Sequence, residues 1–122
     1  MSKSNSIILN KNIILSFPRA VPKEVFISKI KEFTNNIVDF LKSSGCNNLG
    51  HIKLISTTNG EDYLQLSVLD IEQGPKINGI LRKTFEKIKL TINFIVFVVE
   101  KENIDNKVTE ELGNLETYFH NM

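Results

Sequence analysis

Apolar residues along this chain change their spacing several times, and each spacing predicts a different element. The stretch "IILSF", Ile13 to Phe17, alternates as a half-buried strand does, and Pro18 is expected to end it. From Pro22 to about Lys42 apolar residues recur at steps of three or four, which predicts an amphipathic helix that Gly45 ends. The apolar residues of this helix are Phe26, Ile30, Phe33, Ile37 and Leu41.

The second half of the chain predicts a hairpin, a helix, a strand and a final helix. Two short strands flank Asn59-Gly60, and Gly74-Pro75 marks a loop after them. From Lys76 to Lys89 the spacing is helical again, although Gly79 weakens that helix. "LTINFIVFVV", Leu90 to Val99, is β-branched and aromatic throughout, which predicts a strand covered on both faces. The helical apolar sets are Ile77, Leu81, Phe85 and Ile88, and then Ile104, Val108, Leu112, Leu115 and Phe119.

The predicted order is therefore β-α-β-β-α-β followed by a C-terminal helix. This order is that of the α+β class and of the ferredoxin-like, split βαβ arrangement. We expect one domain that spans residues 1–122, with no linker or repeat. Right-handed crossovers would place both crossover helices on one face of the sheet and leave the other face open.

The register of the hairpin decides which side chains reach the open face. A two-residue turn at Asn59-Gly60 would place Lys53 opposite Leu66, beside other aliphatic side chains. A three-residue loop, 58–60, with Gly60 in a bulge, gives a consistent aliphatic face instead. In that register the helix side pairs Leu54 with Leu64 and Ile52 with Leu66, while the open side pairs His51 with Ser67 and Lys53 with Gln65.

These open-face residues are the first candidate ligand site. His51 can titrate near neutral pH and Lys53 can meet an anion, with Gln65 and Ser67 beside them as hydrogen-bonding groups. The alternative is an ordinary solvated polar face of a sheet.

Basic residues on the predicted second helix are the second candidate site. Lys76, Lys83 and Lys87 are separated by seven and four residues, so one helix face would carry all three and could bind an anion. The alternative is a solvated helix face. Aromatic stacking groups and a broad basic field are missing, so nucleic-acid binding is not expected.

Composition narrows the chemistry further. The 122 residues carry 15 basic and 14 acidic side chains, a net charge of +1, so any basic site must be local. The single Cys46 excludes an internal disulfide, and with His51 and His120 it fits no zinc spacing. Serines and carboxylates lack a catalytic pattern, so we assign no catalytic residue, metal or cofactor. The N-terminal stretch lacks the apolar run of a signal peptide or membrane span, so we expect a soluble, cytoplasmic protein.

The strand Leu90 to Val99 also bears on association, because two crossover helices can cover only one of its apolar faces. Either the C-terminal helix folds over the second face or another subunit does. We expect a homodimer with two-fold symmetry whose interface includes the open face or this helix.

The segments "LGHIKL", "SV" and "INFIVFVVE", between Leu49 and Glu100, resemble the C-terminal accessory region of CobW-type metallochaperone GTPases. Those proteins carry the GTP site and the metal-binding cysteines in a separate N-terminal domain. The resemblance therefore implies a stand-alone interaction or sensing domain, and only His51 and Lys53 carry over as matching positions.

Taken with the residues themselves, these features favour a non-enzymatic, self-associating α+β domain. It would bind a partner protein or a small anionic ligand through the open face, as an accessory to a GTPase or metal-handling system. One alternative is a small ferredoxin-like enzyme that uses His51 and Lys53, and a third is a nucleic-acid-binding module.

Overall fold

Two helices pack on one face of a five-stranded sheet in the computed structural model, which describes residues 6–45, 49–59, 61–70, 72–97 and 100–122. This architecture confirms the predicted α+β class. None of the helices within the described ranges is long and apolar enough to cross a membrane. The elements are β1 (Ser6–Pro22), α1 (Lys23–Ser43), β2 (Leu49–Thr57), β3 (Tyr63–Val68), β4 (Lys76–Ile80), β5 (Thr84–Phe97) and α2 (Lys101–His120).

The strand order is β1-β5-β2-β3-β4, and every neighbouring pair is antiparallel. Because β5 is antiparallel to both β1 and β2, those two strands are parallel to each other, and α1 connects them. A ferredoxin-like arrangement is not found, since four strands follow α1 before the second helix and the sheet has a fifth strand. The two edges of the sheet are β1 and β4.

The predicted helix over Lys76 to Lys89 is wrong, because these residues form β4 and the first part of β5. From Lys87 to Phe94 polar and apolar side chains alternate strictly, which is the strand period. Gly79 has φ 102° in β4, and a Cβ there would collide with the carbonyl oxygen of Tyr63. Gly79 thus permits the close approach of β4 to β3.

The predicted first helix is confirmed, with its apolar residues buried and Gly45 at positive φ just beyond its end. The final helix, α2, lies beside α1 on the same face. Its Phe119 ring is 4.8 Å from that of Phe17, and Asn36 donates a 2.9 Å hydrogen bond to Glu111 across the two helices. The alternative in which this helix covers the second face of β5 is therefore wrong.

The hairpin register differs from the prediction by two residues. Leu54 lies opposite Leu66 and Ile52 opposite Val68, so the loop spans residues 58–62; Gly60, the predicted bulge, lies outside the described residues. A shift of two keeps every side chain on its predicted face. Accordingly the aliphatic side chains of both strands are buried under the helices, namely Ile52, Leu54, Leu64, Leu66 and Val68.

Asp62 explains the longer loop. Its carboxylate accepts hydrogen bonds from the backbone N and the Oγ1 of Thr58 and from the backbone N of Arg82, at 3.0 Å in the last case. These bonds close the loop and connect it to the turn between β4 and β5. By accepting hydrogen bonds from nearby backbone N–H groups, the Asp62 side chain favours this longer loop over the tighter predicted turn.

Asp62 also gives a pH-dependent prediction. Burial alone would raise the pKa of its carboxyl, but the hydrogen bonds from Thr58 and Arg82 lower it to about 2, against 3.8 for the free side chain. The ionised carboxylate therefore stabilises the fold above the unfolded-state pKa, and this stabilisation is lost as pH falls towards 2. We expect Asp62→Asn to lower the free energy of unfolding by about 2 kcal/mol at neutral pH.

Urea denaturation of wild type and Asp62→Asn across this pH range measures the difference. It should be largest above about pH 5 and should narrow as the wild-type carboxylate becomes protonated. A difference that is constant with pH would contradict the assigned role of the Asp62 carboxylate.

Candidate functional site

The side of the sheet turned away from the helices is called here the open face. Strand pairing and burial assign alternate residues of each strand to it. These residues are Ile8, Asn10, Asn12, Ile14 and Ser16 of β1; Lys87, Lys89, Thr91, Asn93, Ile95 and Phe97 of β5; His51, Lys53, Ile55 and Thr57 of β2; Tyr63, Gln65 and Ser67 of β3; and Lys76, Asn78 and Ile80 of β4.

Positive charge predominates on the open face. Four lysines lie on it and none of the paired positions named above holds an aspartate or glutamate, while Glu86, exposed beside Lys87 at the irregularity of β5, is the one acidic residue of that strand. The rest of the chain holds eleven basic and fourteen acidic side chains, a net charge of −3. The near-neutral total thus conceals a local excess of positive charge on the open face, of the kind that orients an approaching charged partner.

The open face also carries most of the exposed apolar surface. Seven large apolar side chains are exposed among the described residues, and four of them, at 50% to 77% exposure, belong to the open face. A fifth, Leu69, directly follows β3. The four are Ile8 and Ile14 on β1, Tyr63 on β3 and Ile80 on β4.

A row of polar side chains crosses the middle of the open face. One residue from each strand contributes to it, in the order Asn10, Asn93, Lys53, Ser67 and Lys76. The row offers amide, hydroxyl and ammonium groups on neighbouring strands, about 4.8 Å apart.

The four residues of the first predicted ligand site all lie on the open face, and each is half-buried. Their predicted pairings are wrong by the two-residue shift of the register. Lys53 lies opposite Ser67, and Gln65 lies opposite Ile55, while His51 lies beside Ile95 of β5. The structure therefore brings these side chains together on two adjacent strands, and a ligand bound by them stays a prediction.

The three lysines of the second predicted site do not share a helix face, because that helix is absent. Lys76 joins the polar row, Lys83 lies in the turn between β4 and β5, and Lys87 lies opposite Ser16. Lys87 is six residues along β5 from the polar row, roughly 20 Å away. Anion binding by these lysines stays a prediction, but no single compact patch contains all three.

Sequence reasoning missed Asn10, Asn93 and Lys89 as members of the open face. The signal was present in the alternation along β5, where Lys89, Thr91 and Asn93 alternate with buried aliphatic and aromatic residues. Recognition of Asn10 required the pairing of β1 with β5, which a single sequence does not reveal.

Two shallow grooves lie outside the polar row. One of 450 Å³ runs between β1 and the end of α2, and includes Ser16 and His120. The other, of 520 Å³, runs along α1 and includes Ser28 and Asn36. Within the described ranges, no group of three histidine, cysteine or acidic side chains could hold a metal ion, while Cys46 lies outside those ranges. What the open face offers is a broad surface of hydrogen-bond donors, positive charge and apolar contact.

Comparison with known proteins adds little to this geometry. No protein-family model matches the chain, and no curated protein matches it. Among solved structures, a Zn(II)-bound triple mutant of the GTPase YjiA has a TM-score of 0.41 and 16% sequence identity. The similarity covers 83% of this chain and 29% of that chain, so this chain spans less than a third of its length. At this TM-score, the likeness supports no statement about function.

Proposed function

We propose that this protein is a non-enzymatic interaction domain that self-associates and binds an acidic protein partner through its open face. The observation that carries the proposal is the coincidence, on one sheet face, of four lysines, with no acid at the paired positions, and four of the seven large apolar side chains that are exposed among the described residues.

Charge complementarity favours an acidic partner. The four lysines, Lys53, Lys76, Lys87 and Lys89, lie in three rows of the sheet and on three strands, so their electrostatic fields add over a wide surface. Such a surface attracts an oppositely charged partner and repels a basic one. A small anion could contact only one or two of these lysines, whereas an extended acidic surface contacts all of them.

Apolar contact favours a protein over a simple polyanion. Ile8, Ile14 and Ile80 expose 58%, 60% and 77% of their surface, at positions that flank the lysines. Burial of such side chains contributes about 25 cal/mol for each Å² removed from water. A partner that supplies both carboxylates and apolar side chains therefore matches the open face better than one that supplies charge alone.

The segments that resemble the accessory region of CobW-type GTPases suggest a class of partner protein for the open face. A GTPase or metal-handling protein of that type is the partner class that we favour. His51 and Lys53, the positions matched in that resemblance, both lie on the open face.

The test uses a fluorescein-labelled peptide of alternating glutamate and leucine as a probe, with binding measured by fluorescence anisotropy. We expect Lys53→Glu/Lys76→Glu to weaken binding at least about 30-fold, since two attractive charges become repulsive. The matched control is Lys31→Glu/Lys101→Glu, two exposed lysines on the helices that receive the same charge change.

Equal weakening by the two double variants would contradict the proposal, because it would indicate attraction by net charge alone. A polyglutamate peptide should bind less tightly than the probe, since it lacks apolar side chains. Tighter binding of a single-stranded oligonucleotide than of either peptide would favour the nucleic-acid alternative and overturn the choice of a protein partner.

A further inference from the structure

The two edges of the sheet differ in how open they are to another strand. β4 has five residues, begins with Lys76 and contains Gly79 at positive φ, all of which discourage pairing. β1 runs for 17 residues and pairs on one side with β5. No backbone hydrogen bond from another described segment reaches its outer side within Ile7 to Leu15. A long edge of this kind is a template for a further strand.

The sequence of this edge is self-complementary. "IILNKNIIL", Ile7 to Leu15, has the same classes of residue in both directions from Lys11. If two copies run antiparallel with Lys11 at the centre, each side chain therefore meets one of its own class on the same face. The opposed pairs are Ile7 with Leu15, Ile8 with Ile14, Leu9 with Ile13, and Asn10 with Asn12.

We infer that β1 pairs with β1 of a second copy of this chain, antiparallel and about a two-fold axis at Lys11. The product is a dimer with one continuous ten-stranded sheet. A self-complementary strand suits a second copy better than a foreign strand, because a two-fold interface presents the same residues from both sides. The inference rests on the self-association proposed above. It uses the β1 edge, whereas the four lysines that the acidic partner would contact lie on β2, β4 and β5.

Lys11 is the residue that would oppose such a pairing, since an inward charge often protects an edge strand. Its Nζ, however, lies 2.9 Å from the Asp105 carboxylate of α2. The two Lys11 side chains at the axis are therefore each paired with a carboxylate, and like-charge repulsion between them is offset.

The placement of α2 leaves room for the second copy. Its contacts along β1 run from Lys11, bound to Asp105, to Phe17, packed on Phe119. In the antiparallel pair, the Lys11 to Leu15 part of one strand lies beside the Ile7 to Lys11 part of the other. The two α2 helices thus fall on opposite sides of the axis and do not collide.

The exposed isoleucines of β1 provide both a reason for pairing and a test. Ile8 is 58% exposed and Ile14 is 60% exposed, and each would lie opposite the other in the second copy. Both positions tolerate substitution in the isolated fold, because neither side chain belongs to the core. Charged residues can therefore be introduced at both positions to test the register without unfolding the chain.

The experiment measures the dimer dissociation constant by sedimentation equilibrium for the full chain and three variants. Ile8→Lys/Ile14→Lys should raise it at least about 100-fold, because like charges meet twice across the axis. Ile8→Glu/Ile14→Lys should stay within about 10-fold of wild type, since each new charge then meets its opposite. Tyr63→Lys/Ile80→Lys, on the same face but at the far edge, should leave the constant unchanged.

Three results would overturn the inference. The first is a wild-type chain that is monomeric at about 100 µM. The second is dissociation of the charge-matched variant as complete as that of the like-charged one. The third is dissociation by Tyr63→Lys/Ile80→Lys, which would place the contact on the sheet face instead of the edge. Binding of the acidic probe to the wild-type chain is measured separately. A chain that binds the probe and stays monomeric contradicts this inference alone, whereas a dimer that does not bind the probe contradicts the peptide-binding proposal alone.

Discussion

A chain truncated after Asn103 should fail to fold, because α2 supplies part of the core and is not a cover over the open face. The truncation removes five buried apolar side chains, Ile104, Val108, Leu112, Leu115 and Phe119. At about 1.5–3 kcal/mol for each large buried side chain, their combined loss is as large as the roughly 5–15 kcal/mol by which a typical domain is stable. Circular dichroism and thermal unfolding of the truncated chain measure this effect.

Two comparisons sharpen that prediction. A chain that lacks only Asn121 and Met122, which are exposed, should unfold with a Tm near that of the full chain. Phe119→Ala should lower the free energy of unfolding by about 3–5 kcal/mol, as expected for a phenylalanine packed against Phe17 and Phe26. Cooperative unfolding of the truncated chain at the wild-type temperature would contradict the placement of α2 in the core.

The second large effect concerns the two faces of the β2–β3 hairpin. Leu66→Ala should lower the free energy of unfolding by about 2–4 kcal/mol, because Leu66 is fully buried beneath the helices opposite Leu54. Lys53→Ala should lower it by well under about 1 kcal/mol, since Lys53 lies on the open face. Chemical denaturation of both variants provides the comparison, and similar losses for the two would refute the assignment of faces.

Part of this fold follows from local patterns in the sequence. The step of three or four from Phe26 to Leu41 predicts α1, and the apolar steps from Ile104 to Phe119 predict α2. Both helices are long and amphipathic, which makes the period distinctive. The class of fold and the faces of the hairpin follow from the same kind of evidence.

The β4–β5 region shows where such patterns mislead. Ile77, Leu81, Phe85 and Ile88 are spaced as in a helix, yet two strands and a turn produce the same spacing. The strict alternation from Lys87 to Phe94 is the better guide, because this pattern is typical of a strand with one covered face and does not fit the period of a helix. That one reinterpretation moves Lys87 and Lys89 from a helix to the open face.

The candidate site depends on contacts between distant parts of the chain. The sheet face on which His51 and Lys53 lie is predictable from the aliphatic residues that alternate with them. The residues that lie opposite them on the neighbouring strand are not predictable, because Asp62 accepts hydrogen bonds from Thr58 and Arg82 and the loop is two residues longer than predicted. The position of Asn10 beside Asn93 likewise depends on the pairing of β1 with β5, which leaves no local signature.

Isoleucine methyl NMR tests the central claim, that the open face is the binding surface, most directly. The chain carries isoleucines on the open face, Ile8, Ile14, Ile55, Ile80 and Ile95, and others on the helices or in the core, such as Ile27, Ile30, Ile37 and Ile88. On titration with the glutamate–leucine peptide, the account predicts that the methyl signals of the open-face group shift while those of the second group stay in place. Shifts concentrated on Ile27 and its neighbours along α1, with the open-face methyls unchanged, would contradict it.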